Sequence, residues 1–334
     1  MKKWIEIDDR SAIAALRRLA RRYATSIDLP ERRLEEMAIV VTEAATNVLR
    51  YAERGRALIE VIHAPGVEKI VLVFTDHGPG IGDMDRMFQD GESSSGSAGL
   101  GLSAIRRLSD TFDIFSSAAD GTTIVCTFDR QNSPPNAAVL DIEGLRVCHP
   151  AESVCGDDWM LRQTPEATDV LVCDGLGHGS RAAEAAAELI QGATNHAADP
   201  AATITALSAD LVGHRGAVAA MIRIHMADLT MAYSALGNIA TLCIGATGIR
   251  RLAVRDGRIG GQATHGFEDT IQLAPGDILI LHSDGLKTLR DKNFAPGLLG
   301  RSPLLIAAFL LDRAFRGRDD ASIVVARLKA EPRS

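Results

Sequence analysis

The sequence has no apolar stretch long enough to cross a membrane and no secretion signal at its start. The longest clean apolar run, Leu304 to Leu311, is far shorter than the ~20 residues that a bilayer-spanning helix needs. The first residues, Met-Lys-Lys-Trp-Ile-Glu, are too polar for the apolar part of a signal peptide. We therefore expect a cytoplasmic protein that makes no membrane contact.

Cysteines are few and do not form a recognisable zinc or redox motif. The chain has no Cys-x-x-Cys pair, the number of cysteines is odd, and several lie in apolar runs. They are Cys126, Cys148, Cys155, Cys173 and Cys243. This pattern predicts buried, reduced thiols. A Cys-x5-Arg loop and a Ser/His/Asp arrangement are also missing, which argues against a covalent phosphoenzyme.

Positive charge is not in excess either. The chain has 36 Lys and Arg against 43 Asp and Glu, a net charge of -7, so nucleic acid is not the expected partner. Its 46% hydrophobic and 24% charged content is ordinary for a globular protein, and 334 residues predict about two domains.

A proline-containing polar stretch predicts the domain boundary. Gln131-Asn-Ser-Pro-Pro-Asn136 breaks any regular element, so we expect a linker at residues 131–137 between domains at residues 1–130 and 138–330. The N-terminal domain is expected to be a two-layer α/β sandwich with helices on one face of a mixed sheet. Its predicted helices are Asp9–Thr25, Pro30–Ala52 and one from Gly99; its strands are Ala57–His63, Lys69–Asp76 and Gly121–Phe128.

The C-terminal domain shows many short apolar runs and few helices. This pattern predicts a central β-sandwich flanked by helices, an α-β-β-α arrangement. The predicted strands are Leu145–His149, Val170–Cys173, Val218–His225, Thr230–Ala235, Thr241–Ile244, Ile278–His282 and Ser322–Leu328. The predicted helices are Ser180–Thr194, Pro200–Val212 and Pro303–Ala314.

Three elements of the N-terminal domain carry polar groups suited to a nucleotide. Glu43 and Asn47 are one turn apart on the same helix face, where Asn offers Mg²⁺ an oxygen and Glu can accept a proton. Asp76-His-Gly-Pro-Gly80 follows a strand and offers a carboxylate to an exocyclic amine. Gly96-Ser-Ala-Gly-Leu-Gly-Leu102 opens a helix whose free N–H groups suit phosphate.

In this order and at these spacings, the three elements resemble the N, G1 and G2 boxes of the GHKL ATP-binding fold. The likeness covers about residues 10–130 and is greatest to the small anti-sigma-factor serine kinases of bacterial partner switching. The resemblance implies that Asn47 binds Mg²⁺, Asp76 binds the adenine amine and Glu43 is the catalytic base. It further places Gly78 and Gly80 in the base pocket and Gly99 and Gly101 at the phosphates of ATP.

Four aspartates of the C-terminal domain predict a second site. Asp174 follows an apolar run and precedes Gly-Leu-Gly-His-Gly179, and Asp157, Asp284 and Asp319 have similar settings. An all-oxygen ligand set favours Mg²⁺ or Mn²⁺ over Zn²⁺. Two such ions can activate water and hold a phosphoryl group for in-line attack.

These motifs resemble the four signatures of the PPM metal-dependent phosphatases, in their SpoIIE-type branch, over residues 140–328. The resemblance implies that Asp174 acts catalytically by bridging two metal ions and that the Gly175 carbonyl ligates one of them. Asp157, Asp284 and Asp319 would complete the ligand shell. Gly237-Asn238-Ile239 departs from the Gly-His-Pro of many relatives, and His178 can have either a turn or a catalytic role.

Together the two resemblances predict a bifunctional partner-switching enzyme. It would dephosphorylate serine or threonine on a STAS-domain protein of an anti-sigma or stressosome system, and its ATP-binding domain would phosphorylate such a protein. The resemblance also allows a homodimer. The alternative is that the N-terminal domain is a nucleotide-gated binding module without kinase activity. Retention of Glu43 favours the kinase, because a binding module would not need the base.

Overall fold

A computed structural model describes residues 2–64, 67–82, 98–130, 139–196 and 199–329. The elements of the N-terminal half are β1 (Ile5–Ile7), α1 (Arg10–Ser26), α2 (Glu31–Tyr51), β2 (Gly55–Ala64), β3 (Val67–Asp76), α3 (Ala98–Leu108), β4 (Thr111–Ser117) and β5 (Gly121–Asp129). Helix α1 begins where the Asp9 side chain accepts hydrogen bonds from the backbone of Ser11 and Ala12. Helix α2 begins after Pro30, whose fixed φ suits a helix start.

The N-terminal half forms a two-layer sandwich. Its sheet has the strand order β1-β2-β3-β5-β4, and every neighbouring pair is antiparallel. One core joins α1 and α2 to this sheet, with Leu16, Met37 and Val41 of the helices among the buried residues and Leu72 and Phe74 from β3. These positions of β3 alternate, so one face of the strand meets the helices.

The elements of the C-terminal half are β6 (Leu140–Val147), β7 (Asp157–Gln163), β8 (Ala167–Gly175), α4 (Ser180–Asn195), α5 (Pro200–Asp210), β9 (Ala217–His225), β10 (Thr230–Leu236), β11 (Ala240–Gly245), β12 (Gly248–Arg251), β13 (Asp269–Gln272), β14 (Ile278–His282), α6 (Pro303–Ala314) and β15 (Ala321–Leu328). They build two five-stranded antiparallel sheets, β13-β10-β9-β8-β7 and β12-β11-β14-β15-β6.

The central strands of the first sheet are buried on both faces. Val170 and Val172 of β8 belong to a core that includes Leu281 and Val324 of the second sheet. The intervening residues of β8, such as Leu171, belong to another core with α4 and α5. A strand covered on both faces needs apolar residues at every position, which is why β8 appears in the sequence as a continuous apolar run.

The described residues group into two compact units whose boundary does not follow the chain order. One unit contains 3–136 together with 294–312, and the other contains the remaining parts of the C-terminal half. Within the first unit, the carboxylate of Asp312 is fully buried and accepts a hydrogen bond of 2.5 Å from Nε of Arg56. The rings of Phe115 and Phe309 pack edge to face, with centroids 5.3 Å apart.

The fold class predicted from the sequence is confirmed, with one correction and several additions. The N-terminal sheet is antiparallel throughout and not mixed: β3 and β4, which α3 connects, run in the same direction, but β5 lies between them and is antiparallel to both. The sequence did not predict β1, β4, β7, β12 and β13, most of which are short or carry exposed polar residues. The predicted linker at residues 131–137 and the first two residues of the Gly96–Leu102 segment lie outside the described residues, so the domain boundary stays a prediction.

Two sequence predictions about cysteine and membrane helices can be compared directly. All five cysteines are free thiols and buried, as predicted. None of the described helices has both the length and the apolar composition that crossing a membrane requires.

Candidate functional site

Two of the four predicted metal-binding aspartates face each other on neighbouring strands. Asp157 begins β7, Asp174 lies near the end of β8, and the two are directly paired in the antiparallel register. Asp157 is 2% exposed, and neither of its carboxylate oxygens has a hydrogen-bond partner among the described residues. A buried carboxylate without donors is costly, so the site favours either a proton or a cation at this position.

The pKa values of Asp157 and Asp174 also indicate that this site favours a proton or a cation. Burial raises the pKa of Asp157 to about 7, a rise that the neighbouring hydroxyls of Ser283 and Ser322 only partly offset. Burial also raises the pKa of Asp174 to about 9, and the negative charges of Asp157, Asp284 and Asp319 add to this rise. Three predicted ligands thus act electrostatically on the fourth, which means that the fold brings all of them into one neighbourhood.

Asp284 and Asp319 come from the second sheet. Asp284 follows β14 and accepts a hydrogen bond of 2.8 Å at Oδ2 from Nδ2 of Asn238. Burial raises the pKa of Asp284, the charge of Asp319 adds to the rise, and Arg316 and Arg318 oppose it. Asp319 precedes β15 and accepts a hydrogen bond of 2.9 Å from the backbone N–H of Asp320. The turns after β14 and before β15 therefore supply the remaining carboxylates.

Glycines let the helix that follows β8 come close to this pair. A Cβ on Gly175 would lie 2.1 Å from the carbonyl oxygen of Ala182 in α4, so only glycine fits between the strand end and the helix. The backbone N–H of Gly175 donates to the carbonyl of Gly156 at 3.0 Å, which links the end of β8 to the residue before β7. Gly177 and Gly179 have φ values of +90° and +76°, which turn the chain into α4.

The side chain of His178 makes contacts that anchor this loop. Its Nδ1 lies 2.6 Å from Oε1 of Glu152. Its ring stacks on that of His149, with centroids 4.6 Å apart and an interplanar angle of 14°. These contacts hold the side chain of His178 in place within the loop.

The residues present fit a hard divalent cation. The ligand set consists of carboxylates and a backbone carbonyl, and the orphaned oxygens of Asp157 are what such an ion would satisfy. No three of these aspartates bring ligand atoms within 4.8 Å of one another in the part of the chain that the structure describes.

A cavity of about 320 Å³ in the N-terminal half contains several of the predicted nucleotide-binding residues. Asn47 of α2, Asp76 at the end of β3 and Gly80 after it line this space, and Thr122 of β5 joins them. Apolar side chains cover much of the rest: Ala44, Val48, Phe74, Ile81, Leu102 and Ile124. A mostly apolar cavity with a few polar groups is typical of a small-molecule site.

Asp76 is held in a defined orientation. Its Oδ1 accepts hydrogen bonds from the backbone N–H groups of Gly78 at 2.9 Å and Thr122 at 3.2 Å. Gly78 must be glycine because a Cβ there would lie 2.6 Å from the Cβ of Ala52. Gly80 has φ +71°, and a Cβ there would lie 2.4 Å from the carbonyl oxygen of Ser117. The turn after β3 is therefore shaped by its two predicted glycines.

Glu43, Asn47 and Gly101 lie together. The position of a Cβ on Gly101 would be 2.8 Å from Oε2 of Glu43 and 3.5 Å from Nδ2 of Asn47. Helix α3 thus places a residue without a side chain, Gly101, against the polar face of α2. Gly99 lies in the first turn of the same helix.

Two residues near the aspartates had no predicted role and are positioned by the fold. Nε of Arg215 donates to the carbonyl of Leu176 at 2.5 Å, so an exposed guanidinium lies beside the loop after Asp174. Asn238 follows β10 and reaches Asp284 through its amide. Neither could be found from local sequence, because both depend on tertiary contacts with residues 39 and 46 positions away.

Comparison with known proteins matches the two halves of the chain to different families. Residues 7–128 match the histidine kinase-like ATPase domain family, and residues 164–329 match the family of stage II sporulation protein E, SpoIIE. Over 112 residues the chain is 34% identical to the serine/threonine-protein kinase RsbT of Bacillus subtilis (strain 168), a match that covers 34% of this chain and 84% of RsbT.

The C-terminal half is similar to bacterial phosphatases. Over 137 residues it is 26% identical to the phosphoserine phosphatase RsbX of Bacillus subtilis (strain 168), covering 40% of this chain and 69% of RsbX. A crystal structure of RsbX in complex with magnesium has a TM-score of 0.50 at 22% identity and covers 57% of this chain and 96% of that one. A structure of the PP2C phosphatase domain with a regulatory fragment of SpoIIE from Bacillus subtilis has a TM-score of 0.52 at 15% identity and covers 97% of this chain and 99% of that one. At these identities the structural likeness shows the PPM fold.

Proposed function

We propose that this chain is a partner-switching enzyme that dephosphorylates serine or threonine on a STAS-type protein. Its N-terminal part belongs to the histidine kinase-like ATPase family. Its C-terminal part carries a SpoIIE-type phosphatase domain of the PPM fold. The observation that carries this proposal is the direct pairing of Asp157 with Asp174. It combines a buried carboxylate that lacks donors with a second carboxylate whose pKa the other aspartates raise.

The metal ligands that we propose are the four aspartates and the carbonyl of Gly175. Asp174 would be the ligand shared by the bound ions, as the resemblance implies, and the charges of Asp157, Asp284 and Asp319 all act on it. Bound Mg²⁺ or Mn²⁺ supplies a Lewis acid that polarises the phosphoryl group and activates water. Asn238 fixes the orientation of Asp284, and Gly175 allows α4 to approach the site. Arg215 adds a cationic group beside the loop, suited to a phosphate dianion.

For the N-terminal half we propose an ATP site and protein serine kinase activity. Asp76, with its Oδ1 already held by two backbone N–H groups, is suited to an exocyclic adenine amine. Gly78 and Gly80 shape the adenine pocket, and Gly99 and Gly101 provide open backbone near the phosphates. Asn47 is the proposed Mg²⁺ ligand, and Glu43 is the proposed base that takes the proton of a partner's serine hydroxyl.

The second candidate function is a nucleotide-gated binding module without kinase activity. The closeness of Glu43 to the Gly101 backbone and to Asn47 favours the kinase, because a base is placed where the phosphates are proposed to lie. The cavity around Asp76 is equally compatible with both functions.

The proposal is tested with the purified full chain and STAS-domain proteins as partners. A partner phosphorylated on serine should lose phosphate in Mn²⁺ or Mg²⁺ and keep it in a chelator. Asp174→Asn should keep the phosphate on the partner, whereas Asp256→Asn, at an exposed aspartate that is not a predicted ligand, should behave as the unaltered chain does. Loss of phosphate in the presence of chelator would contradict the proposed metal-dependent hydrolysis.

A further inference from the structure

Two cysteines and an aspartate meet in the interior of the C-terminal half, beside the predicted hydrolytic site. One ligand atom from each of Cys148, Cys155 and Asp320 lies within 4.8 Å of the other two. The three residues are 2%, 8% and 3% exposed, respectively. They are the one group of His, Cys, Asp or Glu in the described chain whose ligand atoms converge this closely.

The carboxylate of Asp320 is not fully satisfied by protein. Its Oδ1 accepts a hydrogen bond of 2.8 Å from the backbone N–H of His149. Its Oδ2 is buried and accepts no hydrogen bond of normal geometry within the residues that the structure describes, although the backbone N–H of Gly156 and the thiol of Cys155 lie near the carboxylate. A buried acceptor left without a donor costs about 1–3 kcal/mol, more when it is charged, so this oxygen needs a proton or a cation.

The chemistry of the three groups distinguishes the possible occupants. A disulfide between Cys148 and Cys155 would use both sulfur atoms but leave Oδ2 of Asp320 buried and unpartnered. A thiophilic divalent cation uses all three groups at once. Two sulfur ligands and one oxygen ligand are suited to Zn²⁺, whereas Mg²⁺ prefers oxygen alone.

We propose that Cys148, Cys155 and Asp320 form a binding site for a thiophilic divalent cation such as Zn²⁺, separate from the all-aspartate site. The three protein ligands leave the fourth tetrahedral position to a non-protein ligand. Binding replaces the protons of the two thiols, so up to two protons are released to solvent for each cation bound.

The place of the three ligands in the chain gives the site a structural consequence. Cys148 follows the end of β6, Cys155 precedes Gly156 and Asp157, and Asp320 lies between Asp319 and β15. A cation here would connect three segments of the chain, two of which carry predicted ligands of the hydrolytic site. The three ligands are close together only in the folded chain, so the cation should bind the folded state more tightly than the unfolded one. Binding should therefore raise the melting temperature.

Cobalt provides the test, because Co²⁺ replaces Zn²⁺ in tetrahedral sites and gives a thiolate-to-metal charge-transfer absorption. The full chain is reduced, freed of metal and titrated with Co²⁺ in excess Mg²⁺, which occupies all-oxygen sites. We expect one sulfur-bound Co²⁺ per chain, displaced by Zn²⁺ because Zn²⁺ binds such sites more tightly. Cys148→Ser and Cys155→Ser should lose the absorption. Cys243→Ser, which alters a buried thiol elsewhere, should keep it.

Two further measurements keep the result independent of variant folding. Asp320→Asn should retain the absorption but weaken binding by about tenfold or more, because one charged ligand is lost. In the unaltered chain, Zn²⁺ should protect Cys148 and Cys155 from alkylation, as read by mass spectrometry, and leave Cys243 unaffected. The proposal is overturned if the unaltered chain gives no sulfur absorption or if Cys148→Ser gives an undiminished one. It is also overturned if metal-free chain lacks two titratable thiols until a reductant is added, since that result identifies a disulfide.

Discussion

Asp157 and Asp174 occupy directly opposed positions on β7 and β8, and Asp157 is the more deeply buried of the two. Two carboxylates in this relationship repel each other unless a cation or a proton lies between them. We therefore expect Asp174→Asn to remove Mn²⁺-dependent phosphatase activity by at least about 10²-fold, the range of a lost catalytic group. At neutral pH the metal-free variant should be about as stable as the unaltered chain, because the raised pKa of Asp174 already keeps this side chain uncharged in the folded protein. Activity and thermal unfolding are measured on the same samples, and a variant with normal turnover would contradict the assignment of Asp174.

The same pair predicts a pH dependence of stability in the chelated chain. The folded-state pKa of Asp174 is raised to about 9 and that of Asp157 to about 7, above the ordinary value of 3.8. The folded chain therefore binds more protons than the unfolded chain over this interval. The stability that these protons contribute is complete below pH ~4 and is lost as pH rises through the folded pKa values.

The measurement compares melting temperatures of the chelated chain and of Asp174→Asn between about pH 7 and pH 9. Cys148, whose pKa the neighbouring Cys155 lowers to about 7, changes stability in the opposite direction over this window. The difference between the two chains is therefore the informative quantity. We expect the unaltered chain to lose more stability on going to pH 9, and saturating Mn²⁺ to reduce the loss. Parallel profiles would show that Asp174 does not hold a proton in the folded chain.

The four aspartates could be singled out from the sequence as candidate ligands, whereas their arrangement could not. Asp157 was named as a ligand, but β7 was not predicted, because its residues alternate between buried and partly exposed and include charged side chains. Without β7 there is no register, so the pairing of Asp157 with Asp174 could not be predicted. Similarly, the contact of Asn238 with Asp284 depends on tertiary structure across 46 positions.

The bounds of long elements with a clear apolar pattern were predicted closely. The compact unit to which each element belongs was not predicted. Helix α6 has the predicted bounds Pro303–Ala314. Its apolar residues do not reveal what covers them, and most of the helix groups with residues of the N-terminal half. Local periodicity determines that a helix forms, whereas its partner is determined by shape and by pairs such as Arg56 with Asp312.

A glycine substitution tests the close approach of α4 to β8. A Cβ on Gly175 would lie 2.1 Å from the carbonyl oxygen of Ala182, so Gly175→Ala must displace backbone. We expect a loss of about 1–3 kcal/mol in the free energy of unfolding, the usual cost of overpacking. Gly300→Ala is the matched control, because nothing lies within 4 Å of a Cβ there. Denaturant unfolding of both chelated variants gives the comparison, and equal stabilities would contradict the described packing.

The orientation of Asp76 predicts the effect of an amide at this position. Since two backbone N–H groups donate to Oδ1, the oxygen of an asparagine would remain there and its NH₂ would take the other position. A donor would then meet the adenine amine, and Asp76→Asn should weaken ATP binding by about 10- to 100-fold, the value of a charged hydrogen bond. The exposed Asp8 gives the control Asp8→Asn. Calorimetry that finds the same ATP affinity in both variants would rule out the proposed adenine contact.

A substitution at Glu43 distinguishes the proposed kinase activity from a binding module without catalysis. A Cβ on Gly101 would lie 2.8 Å from Oε2 of Glu43, and Asn47 lies one turn further along α2. Loss of a positioned base costs ~10²–10⁴-fold in rate, while ATP binding in the ground state is expected to change only a few-fold. Glu43→Gln should therefore abolish phosphate transfer from labelled ATP to a partner serine and retain ATP affinity. Both chains carry Asp174→Asn so that the phosphatase does not erase the product. If no transfer occurs to any STAS partner even with Glu43 intact, while ATP still binds, the N-terminal half is a nucleotide-gated binding module.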